Sequence, residues 1–404
     1  MRRGRICRKG RRLSHTLIAT DAALADYCPQ LAAARRIAFD TEFVSEHTYR
    51  SVLCLVQVAA DERIAVIDPL PIRDMAPFWR VVADFTGEVV VHAGREEMAF
   101  CLDSAGKQPA RLVDIQVAAG LVGFEYPAGY GSLITKLLGR TSPKGETRTD
   151  WRKRPLSEKQ IVYAVDDARY LLPLRDAIEE RLVRLKRGAW LTDEMTAWQA
   201  SVAESMRGER WRKVAGSAGQ APRALAIVRE LWRWRDAEAA RRDRPARQVF
   251  RDDLIVELAK RRSSDPKQIS AVRGFERRDF QRVVPELSEA IARALALPDQ
   301  ECPTVVRRET NPQLNMVAQF LSSALTSVCR AREVAPSLVG TAEDVRDFVA
   351  ARLERRKDQE PPALAQGWRA EVIGQLLDDL LAGKSSIRIQ DPTSDHPLAF
   401  DPVG

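Results

Sequence analysis

Asp40 and Glu42 stand two residues apart at the end of an apolar run, Ile37-Ala38-Phe39. In an extended strand alternate side chains share a face, so both carboxylates point the same way. Held that close they repel, and their ionisation is disfavoured unless a cation lies between them. A hard divalent cation meets that need, because Mg2+ and Mn2+ prefer oxygen donors. Taken singly, the pair also reads as a solvated acidic strand end. A second group is Tyr163 and Asp167, four residues apart and therefore on one face of a helix. A tyrosine hydroxyl beside a carboxylate can orient a water, although a plain surface pair has the same spacing. The third group is Val91-His92-Ala93-Gly94-Arg95-Glu96-Glu97, in which a strand ends, a glycine permits a tight turn, and a helix opens on two acids. Acids in a first helical turn are favoured by the dipole, so capping alone explains them, and His92 reads as a core or turn histidine. Together, Asp40, Glu42, Glu97 and Asp167 suit a site for two cations roughly 3.5–4 Å apart, one acidifying an attacking water and the other stabilising the departing oxygen.

Such a site needs strand ends and facing helices to hold it, and the first third of the chain supplies both patterns. Strands are expected over 36–43, 52–59 and 63–67, entered from a helix near 21–34. The short connection at 60–62 makes a hairpin, so these strands form an antiparallel meander. Helices follow at 75–83, 114–121, 131–138 and 157–185, the last a single long helix, with a strand at 88–92. The expectation is a mixed sheet covered by helices. Residues 190–222, with Gly208, Gly216, Gly219 and Pro222, read as a connector. Residues 223–297 read as a compact all-α module, 298–312 as a proline-containing linker, and 313–381 as helical again, ending in a strand-like piece at 386–389 and a polar tail.

The three groups resemble the exonuclease motifs of ribonuclease D, in the tyrosine branch of the DEDD superfamily. The runs Phe39-Asp40-Thr41-Glu42-Phe43, Cys54-Leu55-Val56-Gln57 and Ala65-Val66-Ile67-Asp68-Pro69 are similar to that family's first strands. Leu112-Val113-Asp114-Ile115-Gln116, Thr149-Asp150-Trp151, Arg154-Pro155-Leu156 and Tyr170-Leu171-Leu172-Pro173 also fall where the family has similar runs. The resemblance covers residues 14–190. It implies an α/β ribonuclease H-like exonuclease domain, followed by all-α helical domains of the HRDC type. It further implies two divalent cations (Mg2+ or Mn2+) as cofactors, and hydrolytic release of 5′-mononucleotides from RNA 3′ ends, including those of precursor tRNA. By the resemblance Asp40, Glu42 and Asp167 are metal ligands, and Tyr163 orients the water nucleophile. One departure stands out. The family's second motif ends in Glu-Asp, whose Asp is a ligand, whereas this chain has Glu96-Glu97. Glutamate reaches about 1.5 Å further, one C–C bond, and near-octahedral Mg2+ tolerates misplacement poorly. The expectation is a second site that is retained but weakened or biased to Mn2+, with a catalytically silent RNA-binding scaffold as the alternative. A DNA 3′→5′ exonuclease is a further alternative, since the choice of sugar rests on contacts to the 2′-hydroxyl.

Within 223–297, Leu231-Trp232-Arg233-Trp234-Arg235-Asp236 followed by Arg241-Arg242-Asp243-Arg244-Pro245 is similar to an HRDC domain, which implies an auxiliary nucleic-acid-binding module. Arg241, Arg242 and Arg244, with Arg152 and Arg154 beside the third motif, are the cations expected to meet phosphates. A solvated helix end is the competing reading for the first three. Trp232 and Trp234 read as core rather than as stacking platforms. The family's architecture suggests a second HRDC-like module over 313–404.

The 404 residues carry 64 Lys+Arg against 56 Asp+Glu, a formal net charge of +8, which favours a polyanionic partner weakly. No apolar run reaches the roughly 18 residues of a membrane span, and no apolar segment follows the basic residues 1–13 as a signal peptide requires. That tail is expected to be disordered, and the location cytoplasmic. Monomer is the favoured oligomeric state. The six cysteines show neither C-x-x-C pairs nor zinc spacing with the four histidines, and read as buried free thiols. A P-loop and a nucleophile elbow are both missing, which removes P-loop and serine hydrolase chemistry.

Overall fold

The apolar runs of the first third assemble into one six-stranded mixed sheet. Its strands are β1 (His15–Ile18), β2 (Arg36–Val44), β3 (Val52–Ala60), β4 (Arg63–Ile67), β5 (Glu88–Val91) and β6 (Leu112–Asp114), in the order β1-β4-β3-β2-β5-β6. β3 and β4 are antiparallel, with Ala60 opposite Arg63, while β1/β4, β2/β5 and β5/β6 are parallel. Central β3 is buried from Cys54 to Ala60, as a strand covered on both faces must be. β1 gives no alternation in sequence because only Ile18 of its four residues is buried, which is why an edge strand there was not expected. The computed structural model describes residues 15–141, 149–275, 278–304, 312–353 and 360–403. The basic tail at 1–13 lies outside the described residues, as do residues 305–311 of the 298–312 linker.

The covering helices are α1 (Asp21–Ala32), α2 (Ala76–Asp84), α3 (Arg95–Ala105), α4 (Ile115–Gly120), α5 (Tyr130–Leu138), α6 (Glu158–Arg169), α7 (Leu171–Arg184) and α8 (Gly188–Arg207). Their starts follow from capping chemistry. Thr20 Oγ1 accepts from Ala23 N at α1, and Ser157 and Gln160 form a reciprocal capping box at α6. The long helix expected over 157–185 is two helices. Pro173 has no N–H to give to the carbonyl four residues earlier, and the chain turns at Tyr170 between α6 and α7. The stretch read as a connector is helical as far as Arg207. The breakers Gly208, Gly216, Gly219 and Pro222 all lie beyond that point, while Leu191, Met195 and Val202 recur at helical spacing and are buried.

By compactness the chain forms two units. One comprises the described residues within Met1–Glu42, Cys54–Ala200 and Asn311–Gly404, the other those within Phe43–Leu53 and Ser201–Thr310. This division differs from the linear one read from the sequence. In the second unit, α9 (Pro222–Arg242), α10 (Ala246–Val249), α11 (Asp252–Arg261), α12 (Pro266–Ser270) and α13 (Arg278–Ala296) surround a core containing Ile227, Leu231, Phe250, Phe275 and Leu287. Trp232 and Trp234 pack against that core, as expected, and Trp234 meets Phe250 edge-on at 5.5 Å. The β2–β3 excursion belongs to this unit: Tyr49 donates from its hydroxyl to Asp236 Oδ2 (3.0 Å) and from its backbone N–H to Asp243 Oδ1 (3.1 Å).

In the first unit, the last ninety residues pack on the sheet-bearing part. They contribute α14 (Pro312–Ala331), α15 (Pro336–Val339), α16 (Ala342–Leu353), and α17 (Gly367–Arg369), which continues through a π-helical turn at Ala370–Gly374 into α18 (Gln375–Leu381). The tail is not merely polar: β7 (Ser385–Ile389) pairs antiparallel with β8 (Leu398–Pro402). Buried Arg187 holds the seam, donating to the carbonyls of Leu121 (2.6 Å), Arg332 and Glu333. Trp190 and Trp368 stack at 5.2 Å beside the Glu194–Arg369 pair. The cysteines Cys28, Cys54, Cys101, Cys302 and Cys329 are buried and free, in line with expectation. No described helix is long and apolar enough to cross a membrane.

Arg187→Ala would leave three enclosed carbonyls without donors, at roughly 1–3 kcal/mol for each group left unpaired. The expected result is a thermal midpoint lower by several degrees. Limited proteolysis should cut after residue 312 sooner than in wild type. An unchanged midpoint and cleavage pattern would show that the seam does not depend on Arg187.

Candidate active site

Strand alternation sorts the side chains of β2. Phe39 and Thr41 face α2 and α3, where Phe39 meets Phe78 and Trp79 edge-on at 6.1 and 5.9 Å. Asp40 and Glu42 project from the opposite face. This aromatic packing fixes the strand one residue before the first acid. Asp167 lies in the last turn of α6, buried at 7% exposure, with Tyr163 hydrogen-bonded to its carboxylate one turn earlier. The Tyr130 hydroxyl donates to the Asp167 carbonyl at 2.5 Å and so holds that turn from behind.

Glu97 comes from the first turn of α3 and is 4% exposed. One of its oxygens accepts from Thr41 Oγ1 at 2.5 Å. The longer side chain thus reaches the hydroxyl that sits between Asp40 and Glu42 in sequence. His92 is a turn histidine, as its context suggested: Nε2 lies 3.0 Å from the Ala128 carbonyl and its ring packs on Tyr130 at 5.3 Å.

The four acids lie within one another's field. Burial, followed by the charges of Asp40, Asp167 and Glu97, pushes Glu42 up to about 9. Burial and then Asp40 push Asp167 up to about 8, against the lowering effect of the Tyr163 hydrogen bond. Burial also raises Asp40 and Glu97, with His92 pulling Asp40 down and Asp40 pushing Glu97 up. Among the described residues no three such side chains already stand as a closed chelate, and Glu97 is turned toward Thr41. The donor set still fits a hard divalent cation. It is anionic and oxygen-only, and the principal groups acting on these acids are other carboxylates, His92, Thr41 and Tyr163, with no lysine or arginine among them.

Two residues that sequence reasoning passed over belong here. Tyr130 is one, and nothing but its position at the start of α5 marks it. Asp114 is the other. It is 1% exposed and accepts from the backbone N–H groups of Ala93, Gly94 and Gln116. It lies in a run already singled out, and its place two residues before Gln116 is a helix-capping signal.

The basic residues fare differently. Arg154 was expected to meet phosphate, but its five N–H donors are occupied within the protein. Nε and Nη2 clasp Asp68 at 2.6 and 2.7 Å, Nη1 serves the carbonyls of Trp151 and Lys153, and Nη2 also serves that of Cys54. It is a pin that fastens the segment before α6, including Trp151 beside Tyr163 (6.1 Å), to β3 and the end of β4. Arg152 is part-exposed and forks onto Asp150. Arg241 and Arg242 share Glu238, and Arg244 is exposed after α9.

The sheet with acids at its strand ends and on its facing helices matches, over residues 16–183, the family of 3′-5′ exonuclease domains, and residues 224–291 match the HRDC domain. This defines the class: a nuclease hydrolase with an appended HRDC domain. The chain belongs to the ribonuclease D family. It is 35% identical to Ribonuclease D of Acidiphilium cryptum, over 92% of this chain and 94% of that protein. It is 32% identical to Ribonuclease D of Pseudomonas paraeruginosa, over 89% and 96%. Its fold matches the crystal structure of Escherichia coli RNase D, described as an exoribonuclease involved in structured RNA processing, with a TM-score of 0.79 and 27% identity over 92% of this chain and 99% of that one.

Two expectations follow. Glu42 moves from 4.5 to about 9 and Asp167 from 3.8 to about 8 on folding. Across that window the folded chain keeps protons that the unfolded chain has released, so stability falls as pH rises. In EDTA the melting temperature should therefore decline from about pH 5 to pH 9. Mn2+ should recover the upper part by taking the protons' place, and Asp167→Asn should flatten the EDTA curve. A curve in EDTA that is level in the wild type would count against this ionisation pattern. For Arg154, Arg154→Ala should lower the melting temperature, at about 1–3 kcal/mol for each buried partner left unpaired, and leave the salt dependence of RNA binding unchanged. A shallower salt slope would restore Arg154 as a phosphate contact.

Proposed function

We propose that this protein trims RNA from the 3′ end as a two-cation exoribonuclease, with Asp40, Glu42, Glu97 and Asp167 holding the cations and Tyr163 orienting the attacking water. The observation that carries the reading is a group of four carboxylates, Glu97 and Asp167 buried and Asp40 and Glu42 half-buried, whose ionisation is suppressed first by desolvation and, for Glu42, Glu97 and Asp167, also by neighbouring acids. When bound, two divalent cations acidify the attacking water and offset charge on the departing 3′-oxygen. The residues of the chain do the rest. Asp40 and Glu42 present oxygens from one strand end, and Asp167 presents its own from the last turn of α6, steadied by Tyr130. The Tyr163 hydroxyl, hydrogen-bonded to Asp167, orients the water and lines it up for in-line attack on the terminal phosphodiester. Glu97, hydrogen-bonded to Thr41, would turn from that hydroxyl toward Asp40 to complete the set. RNA as the polymer is supported by the relatives named Ribonuclease D, and a structured RNA such as precursor tRNA by the likeness to Escherichia coli RNase D, described as involved in structured RNA processing. A cytoplasmic location goes with that substrate.

The test uses a precursor-like RNA, a stem with a 3′ extension labelled at its 5′ end, beside its matched DNA strand, in Mg2+, Mn2+ or EDTA. The expected result is a ladder shortening from the 3′ end of the RNA, lost in EDTA and slower on DNA. Asp40→Asn and Asp167→Asn should each lose on the order of 10²–10³-fold in kcat, without a fall in melting temperature. Tyr163→Phe should lose less, within about 100-fold. Near-full turnover in either Asn variant would overturn the ligand assignment. RNA binding without a ladder in the wild type, with a ladder in Glu97→Asp, would mean that the longer side chain has silenced the site.

A further inference from the structure

The turn before α3 is held in a conformation that its own residues disfavour. Ala93 has φ +54°, a left-handed backbone that residues other than glycine rarely adopt. Gly94 is followed at once by Arg95, which donates to the Ala93 carbonyl at 2.9 Å, and Met98 donates to that of Gly94 at 3.1 Å. The first turn of α3, with Glu97 in it, is therefore hung directly on residues 93 and 94. Gly94 also lies so close to β5 that a Cβ there would stand 2.3 Å from Val91 Cγ2.

One side chain opposes the backbone preference. Asp114, opposite Val91 in the parallel β5/β6 pair, accepts from Ala93 N at 3.1 Å through Oδ1 and from Gly94 N at 2.9 Å through Oδ2. Oδ1 also takes Gln116 N at 2.8 Å. Both oxygens are thus filled by three backbone donors in an enclosed place, and two of these donors belong to the turn. We infer that Asp114 is a positioning residue for the nuclease reaction: by clasping the 93–94 turn it sets where α3 begins, and through α3 the reach of Glu97 to Thr41 and to the cation site. The inference rests on the reading of Glu97 as a cation ligand.

The probe is Mn2+ alone, titrated calorimetrically into the full-length, EDTA-stripped protein, so that no RNA turnover enters. Three variants are compared with wild type, each with its melting temperature. Asp114→Asn keeps one acceptor oxygen for three donors and releases part of the turn. Gly94→Ala disturbs the same turn from the Val91 side and leaves Asp114 in place, which keeps the test alive if the first variant does not fold. Glu97→Gln reports on the ligand itself. The expected result is Mn2+ affinity lowered in all three, by about tenfold or more for the two turn variants. A residue with a merely structural role would lower the melting temperature and leave Mn2+ affinity alone. Wild-type affinity in folded Asp114→Asn and Gly94→Ala, with Glu97→Gln weakened, would overturn the role of Asp114. Wild-type affinity in Glu97→Gln would overturn the reading of Glu97 beneath it.

Discussion

Carboxylates withdrawn from water lose their hydration, and carboxylates placed near each other lose more. Burial disfavours the charged form of Asp40, Glu42, Glu97 and Asp167 alike, and neighbouring acids add a smaller penalty for the last three. A flexible chain would relieve the repulsion by turning these side chains outward. That they stay together means the surrounding structure opposes the repulsion. Phe39 is locked between Phe78 and Trp79, Asp167 sits in a helical turn whose carbonyl is caught by Tyr130, and the α3 entrance is clasped by Asp114. Protons kept on these acids relieve that repulsion, and under the proposed two-cation reading a divalent cation would take their place.

The break between α6 and α7 follows from the same constraint. A straight helix over 157–185 would have run Asp167 into mid-helix, with its carbonyl spent on the residue four further on. Pro173 and the turn at Tyr170 end α6 two residues after Asp167, and the freed carbonyl of Asp167 takes the Tyr130 hydroxyl instead. Tyr130 in turn packs on His92, so the second and third motifs are joined through one aromatic contact rather than through the acids themselves.

The chemistry-bearing residues were legible in the sequence because each follows a local rule. Asp-x-Glu on a strand shares a face, Tyr163 and Asp167 share a helix face, and the acids after Gly94 open a helix. Most of the sheet was legible for the same reason, by period and by β-branched runs. β1 was not, since three of its four residues are exposed. The helix to Arg207 was hidden by the glycines that follow it. The β2–β3 excursion through Tyr49 belongs with residues 201–310 by hydrogen bonds to Asp236 and Asp243, about two hundred positions away, and no local pattern announces such a partner. Tyr130 was missed on that ground too, since its partner is a carbonyl, while the capping signal of Asp114 two residues before Gln116 gave no hint of its hold on the 93–94 turn.

Arginine shows where composition misleads. A guanidinium offers five donors, and its availability to phosphate depends on how many remain. Arg154 has all five engaged, Arg187 is enclosed among three carbonyls, and Arg235 is 5% exposed against Asp252 and the Phe250 carbonyl. Arg241 and Arg242 divide one carboxylate between them, so their combined charge at the end of α9 is closer to one than to two. Arginines such as Arg154, Arg187 and Arg235 that fasten carbonyls and acids offer a polyanion few free donors, so the arginine count by itself does not measure a phosphate-binding surface. In this chain the case for a nucleic-acid substrate stands on the cluster of acids and on the likeness to relatives named Ribonuclease D, and the positive charge does not carry it.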